Sequence, residues 1–127
     1  MKKELLTGIQ HIGIPTEDMA ATREFYEKLG FKAAFETVNE GSEVIFFKLN
    51  DLVMETYEVP KAAKAYGAIE HVAINVTDVE AVYDEICSMG MNTLKDTIHF
   101  LPYWENGVKF FTIEGPNAEK IEFSQFL

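Results

Sequence analysis

Apolar and polar residues change period along this chain, and they do so twice in the same order. Gly8-Ile-Gln-His-Ile-Gly-Ile14 alternates with a period of two, which predicts a strand over about Thr7–Pro15. Ile9, His11 and Gly13 fall on one face, and Gln10, Ile12 and Ile14 on the other. Met19, Thr22, Phe25, Tyr26 and Leu29 then recur at helical spacing, between Asp18, a good N-cap, and Gly30, a good residue just past a helix end. Strand-like segments follow over Phe31–Val38, Glu43–Leu49 and Leu52–Glu58, parted by the turn signals Asn39-Glu-Gly41 and Asn50-Asp51. In the last of them Val53, Glu55 and Tyr57 share a face, while Leu52, Met54 and Thr56 share the other.

Val59–Gly67 has no strand pattern and reads as a link to a second passage of the same kind. Ala68-Ile-Glu-His-Val-Ala-Ile74 matches the first stretch, with His71 lying 60 positions after His11. Held without a gap, that offset pairs Ile9 with Ile69, Asp18 with Asp78, Met19 with Val79, Tyr26 with Ile86, and Gly30 with Gly90. Strand, cap, helix face and terminal glycine coincide, the mark of a structural repeat. Strands are expected over Met91–Leu101 and Gly107–Ile113, around the turn Pro102-Tyr-Trp-Glu-Asn-Gly107. After Gly115-Pro-Asn117 a final strand is expected over Glu119–Phe126, with Ile121 and Phe123 on one face and Glu122, Ser124 and Phe126 on the other. The expected fold is α+β: a single domain, residues 1–127, of two tandem strand–helix–three-strand modules, over about 7–59 and 67–127. Each helix covers one face of a curved mixed sheet, leaving the other face to line a cleft.

Composition narrows the function classes. The 127 residues are 47% apolar and 13% aromatic, enough for a real core. A net charge of −10 argues against nucleic acid as a partner. No apolar run approaches the ~20 residues of a membrane span, and none follows Met1-Lys-Lys-Glu as in a signal peptide. The reading is cytoplasmic. Cys87 is alone, so it staples nothing within the chain, and it reads as a small helix residue.

Chemistry enters through two residue types in repeated positions. A lone strand histidine is usually a core residue satisfied by hydrogen bonds. Here His11 recurs as His71, each on the face away from its helix. Glu55 and Glu122 lie mid-strand on the last strand of each half, where a carboxylate is costly unless solvated, paired or bound to a cation. Two imidazoles and two carboxylates meeting in a common cleft would suit a divalent metal, because the carboxylates neutralise its charge.

This pattern resembles the vicinal oxygen chelate superfamily, which includes glyoxalase I, fosfomycin-resistance proteins, extradiol dioxygenases and bleomycin-binding proteins. The matching pieces are His11-Ile-Gly-Ile, Phe25-Tyr26 with Leu29-Gly30-Phe31, Met54-Glu55, His71-Val-Ala-Ile, and Gly115-Pro-Asn-Ala-Glu-Lys-Ile-Glu122-Phe. The resemblance covers about Thr7 to Phe126. It implies paired βαβββ modules and a metal-containing cleft. His11, Glu55, His71 and Glu122 would be the ligands, in the order found in bacterial glyoxalase I. It also implies a lyase or isomerase in which the metal chelates two adjacent substrate oxygens and acidifies the neighbouring C–H. Glu122 or Glu55 would act as the base. The ion could be Ni, Co, Mn, Zn or Fe, and a homodimer is expected, with the site within one chain or across two.

The departures shape the substrate. Arg23 is the chain's single arginine, and Gly13-Ile-Pro-Thr stands where the family places an arginine after its first histidine. That weakens glutathione and acyl-CoA and favours a small hydroxy-carbonyl compound such as a sugar or sugar acid, with isomerase or epimerase chemistry. His99, Tyr103 and Trp104 lie in the longer connection of the second half and are candidates for walling a substrate pocket. The alternative is a loop anchored on the core or on a second subunit. Two other activities compete. A metal-free, bleomycin-type sequestering protein would suit the acidic balance. An extradiol dioxygenase ranks lower, since Glu55 would fill a position that chemistry leaves open.

Overall fold

The computed structural model describes residues 2–127, and their contacts divide the chain into two compact units between Ala63 and Lys64. Each unit is a βαβββ module. In the first, β1 (Ile12–Thr16), α1 (Met19–Lys28), β2 (Lys32–Asn39), β3 (Ser42–Leu49) and β4 (Leu52–Glu58) follow a short 3₁₀ turn at Lys3–Leu5. In the second come β5 (His71–Asn75), α2 (Val79–Ser88), β6 (His99–Leu101), β7 (Val108–Glu114) and β8 (Lys120–Phe126). The sheet orders are β1-β4-β3-β2 and β5-β8-β7-β6. In both, the first and last strands of the module run parallel and the other pairs are antiparallel. Among the described residues no helix is long and apolar enough to cross a membrane.

Both helices start and stop by the same chemistry. Asp18 and Asp78 accept the amides of Ala21 and Ala81 at 2.9 and 3.0 Å, satisfying a donor that the first turn leaves unpaired. Asp18→Ala and Asp78→Ala are each expected to cost about 1 kcal/mol of stability. A lowered urea midpoint would register it, and an unshifted midpoint would show that the caps contribute nothing. At the other end Gly30 and Gly90 take left-handed φ of 92° and 69°. The amides of Phe31 and Met91 then reach back to the carbonyls of Tyr26 and Ile86, each at 3.0 Å. Phe31 and Met91, expected as the first residues of strands, are instead the apolar residues that close the helix stops, and both are buried.

Each helix packs on one sheet face. In the first unit Met19, Thr22, Tyr26, Ile45, Phe47, Met54 and Thr56 are buried, Tyr26 stacks on Phe47, and the Thr56 hydroxyl lies 3.4 Å from Met19 Sδ. In the second, Val79 and Ile86 are buried, as are Phe111, Ile113, Ile121 and Phe123. Glu55 and Glu122 alternate with these buried residues and so lie on the opposite sheet face.

Two strand expectations are corrected. The first strand begins at Ile12, not Thr7. Its register sets Ile12 opposite Met54, and β4 turns back at Asn50-Asp51, so residues 7–9 have no strand to pair with. Ile9 is exposed accordingly. In place of a strand over Met91–Leu101 only His99–Leu101 pairs with β7. The preceding segment is held by Asp96. Its carbonyl accepts the Tyr83 hydroxyl at 3.0 Å and the Asn92 side-chain amide at 2.9 Å, and its own amide donates to Asn92 Oδ1 at 3.0 Å.

Candidate functional site

The parallel strand pairs bring one histidine and one glutamate together in each unit. Gly13 lies opposite Glu55 across β1 and β4, and Ala73 opposite Glu122 across β5 and β8. Each histidine stands two residues before that small residue, hence on the same face and diagonal to the glutamate. His11 Nε2 is 3.0 Å from Glu55 Oε2, and His71 Nε2 is 3.7 Å from Glu122 Oε2. There is room beside Glu55: a methyl group built on Gly13 would come only within 3.8 Å of Glu55 Oε2, an ordinary contact. Glu122 is the most enclosed of the four, with 17% of its side chain exposed against 28% for Glu55. Glu55 also borders a groove of about 460 Å³ with Gly13, Ser42, Tyr57 and Glu58. Phe46 meets the His11 ring edge-on, with centroids 5.6 Å apart.

The second ring nitrogen of each histidine is engaged by the residue before it. His11 Nδ1 is 2.9 Å from Gln10 Oε1, and His71 Nδ1 is 2.7 Å from Glu70 Oε2. Lys120 pairs with Glu70 and holds its carboxyl below the usual carboxylate range, with His71 adding to the effect. The Lys120 ammonium also sits 4.2 Å from the centre of the Tyr66 ring, whose hydroxyl donates to Glu114.

These residues fit a divalent ion. Each unit presents an imidazole nitrogen and a carboxylate oxygen on one face, a mixed donor set that first-row metals accept. Each imidazole has its Nδ1 engaged, a pattern common among metal-ligating histidines. Among the described residues, no group of three or more His, Cys, Asp or Glu gathers as a metal cluster; each unit brings together one imidazole and one carboxylate.

The other candidates have partners of their own. His99 Nε2 lies 2.6 Å from Asp96 Oδ1, and its ring is 5.4 Å from Phe110. Asp96 Oδ2 accepts the Thr112 amide at 2.8 Å. Burial pushes the Asp96 carboxyl up, but hydrogen bonds from His99 and the Thr112 and Thr97 amides outweigh it and leave it below its ordinary value. Tyr103 and Trp104 are 57% and 78% exposed, and Trp104 meets Phe126 edge-on at 5.7 Å. Arg23 pairs with Glu27 and Glu36, and its guanidinium lies 5.9 Å from the centre of the Phe47 ring. Sequence reasoning missed Gln10, Glu70, Lys120 and Asp96. Gln10 and Glu70 were within reach of it: both are polar hydrogen-bond acceptors at the same position of the repeat, next to each histidine.

A family model described as the Glyoxalase/Bleomycin resistance protein/Dioxygenase superfamily matches residues 8–123. The chain belongs to this superfamily. A curated relative in Bacillus subtilis (strain 168), the uncharacterized protein YwbC, is 32% identical over 124 residues, covering 92% of this chain and 96% of the relative. The glyoxalase family protein from Enterococcus faecalis shares the fold with a TM-score of 0.74 at 21% identity, over 94% of this chain and 98% of that one. The fosfomycin resistance protein FosX from Listeria monocytogenes, solved with Mn(II) and sulfate, has a TM-score of 0.72 at 14% identity, over 96% and 94%. The paired βαβββ modules expected from the sequence are those of the glyoxalase superfamily.

Proposed function

We propose that this protein is a divalent-metal-dependent lyase or isomerase of the glyoxalase type, acting by proton abstraction beside a carbonyl or hydroxyl of a small substrate. His11, Glu55, His71 and Glu122 would hold the ion. The observation that carries this reading is the His–Glu pair built twice, at the same register of two parallel strand pairs. Mn(II) in the similarly folded FosX supports a divalent ion in this superfamily. When bound, the ion would polarise adjacent substrate oxygens and make the neighbouring C–H more acidic.

The chain's own residues would do the rest. Gln10 and Glu70 orient the imidazoles through Nδ1. Glu122, the more enclosed carboxylate, takes the proton at an Oε atom and returns it. Glu55 faces the groove on its own module and is the alternative base. His99, Tyr103 and Trp104 would border the substrate. With Arg23 committed to Glu27 and Glu36, a small hydroxy-carbonyl compound suits the chain better than a polyanionic cosubstrate.

The test is solvent deuterium exchange at the α-carbon of small α-hydroxy ketones and aldehydes, using protein reconstituted with Ni, Co, Mn, Zn or Fe(II). Exchange that appears with one of these ions and stops on chelation is the expected result. Stoichiometric ion binding with no exchange on any of these substrates would remove the catalytic reading. Binding of aromatic ligands without an ion would favour a sequestering protein.

A further inference from the structure

The two histidines are backed differently, and the difference is built at two positions at once. Counted from the glutamates, β4 and β8 are related by 67 positions, and β1 and β5 by 60. Glu70 therefore corresponds to Gln10, and Lys120 to Val53. The first half backs its histidine with a neutral amide beside an apolar residue. The second backs its histidine with a carboxylate beside an ammonium.

The register makes the second arrangement a single unit. Lys120 is the residue directly opposite His71 across β5 and β8. From there its ammonium reaches Glu70 on one side and the Tyr66 ring on the other. Tyr66 is itself fixed through its hydroxyl to Glu114, the strand partner of Lys120 on β7. Glu70 is thus held by its own partner while its Oε2 stands 2.7 Å from His71 Nδ1. On the far side of the ring, Nε2 is 3.7 Å from Glu122, too far for a hydrogen bond, whereas His11 Nε2 is within 3.0 Å of Glu55. The geometry points to a defined tautomer: the His71 proton sits on Nδ1, and Nε2 presents its lone pair toward the Glu122 side.

We propose that Glu70, locked by Lys120, is a positioning residue that fixes His71 in its Nδ1–H tautomer and so makes the second module the stronger ion-holding half. The ion-holding part rests on the metal-dependent reading above; the tautomer part does not.

Two measurements separate them. The first is ¹⁵N-edited NMR of the His71 ring in the metal-free protein. Wild type should show Nδ1–H, Glu70→Ala should shift toward Nε2–H, and Glu70→Gln, whose amide oxygen can still accept the proton, should keep most of the wild-type tautomer. The second is calorimetric titration with Ni(II). Glu70→Ala should weaken binding about 10- to 100-fold, Glu70→Gln should recover most of that loss, and Gln10→Ala should cost less than Glu70→Ala. An unchanged tautomer in Glu70→Ala overturns the positioning role. Equal Ni(II) affinities for wild type and Glu70→Ala overturn the ion-holding half. Wild type that binds no Ni(II), Mn(II) or Zn(II) overturns the metal reading itself, and the NMR result then decides the tautomer alone.

Discussion

Glu122→Gln is expected to lower turnover by about 10²- to 10⁴-fold, the range that a positioned general base contributes. The amide keeps the size and polarity of the side chain but cannot accept and return a proton. It sits between Ile121 and Phe123, which are buried on the opposite face and untouched by the change, so the fold should survive. The comparison that gives the result meaning is Glu55→Gln at saturating metal. Both changes are expected to weaken the ion, so both should raise the metal concentration needed. Only loss of the base should persist once the ion is saturating, and the more enclosed Glu122 is expected to show it. A Glu122→Gln protein that exchanges the α-hydrogen at the wild-type rate would assign the proton transfer elsewhere.

The second large effect concerns stability. Phe47 is fully buried and stacks on Tyr26, with ring centroids 5.6 Å apart and planes at 18°. It also pairs with Met54, another fully buried residue, across β3 and β4. Phe47→Ala should cost about 3–5 kcal/mol, from lost burial and the cavity left behind. Phe35, 59% exposed on β2, is the control, and its removal should cost less than about 0.5 kcal/mol. Chemical denaturation followed by fluorescence and circular dichroism measures both. Equal costs for the two would mean that the helix-facing layer is not where the first module draws its stability.

The repeat was legible because its signals are local. Asp18 and Asp78, Gly30 and Gly90, and the apolar positions between them each report on one helix turn, and the structure reproduces the caps, the stops and the buried Met19, Thr22, Tyr26, Val79 and Ile86, while Phe25 and Leu29 are only half-buried. The alternation in Leu52–Glu58 is equally plain, and it places Glu55 on the face opposite the buried Met54 and Thr56, where the structure has it. What misled was apolar content without a partner strand. Thr7–Ile9 alternates well but has nothing to pair with, and Met91 is apolar because it closes α2, not because it opens a strand. The diagonal His–Glu contacts needed the strand order, which brings together residues more than forty positions apart. Lys120 could not have been joined to His71 from spacing, since only the β5–β8 register sets them side by side.

The shortened third element of the second module has a consequence for self-association. β2 covers β3 along its length, but β6 covers only Val108–Phe110 of β7, leaving the outer rim of residues 111–114 without a neighbouring strand. Such a rim is a template on which another chain can add itself and propagate. Asp96 blunts it by supplying to the Thr112 amide the acceptor that a missing strand would have offered. One carboxylate therefore leaves an added strand one fewer free donor to pair with at that rim.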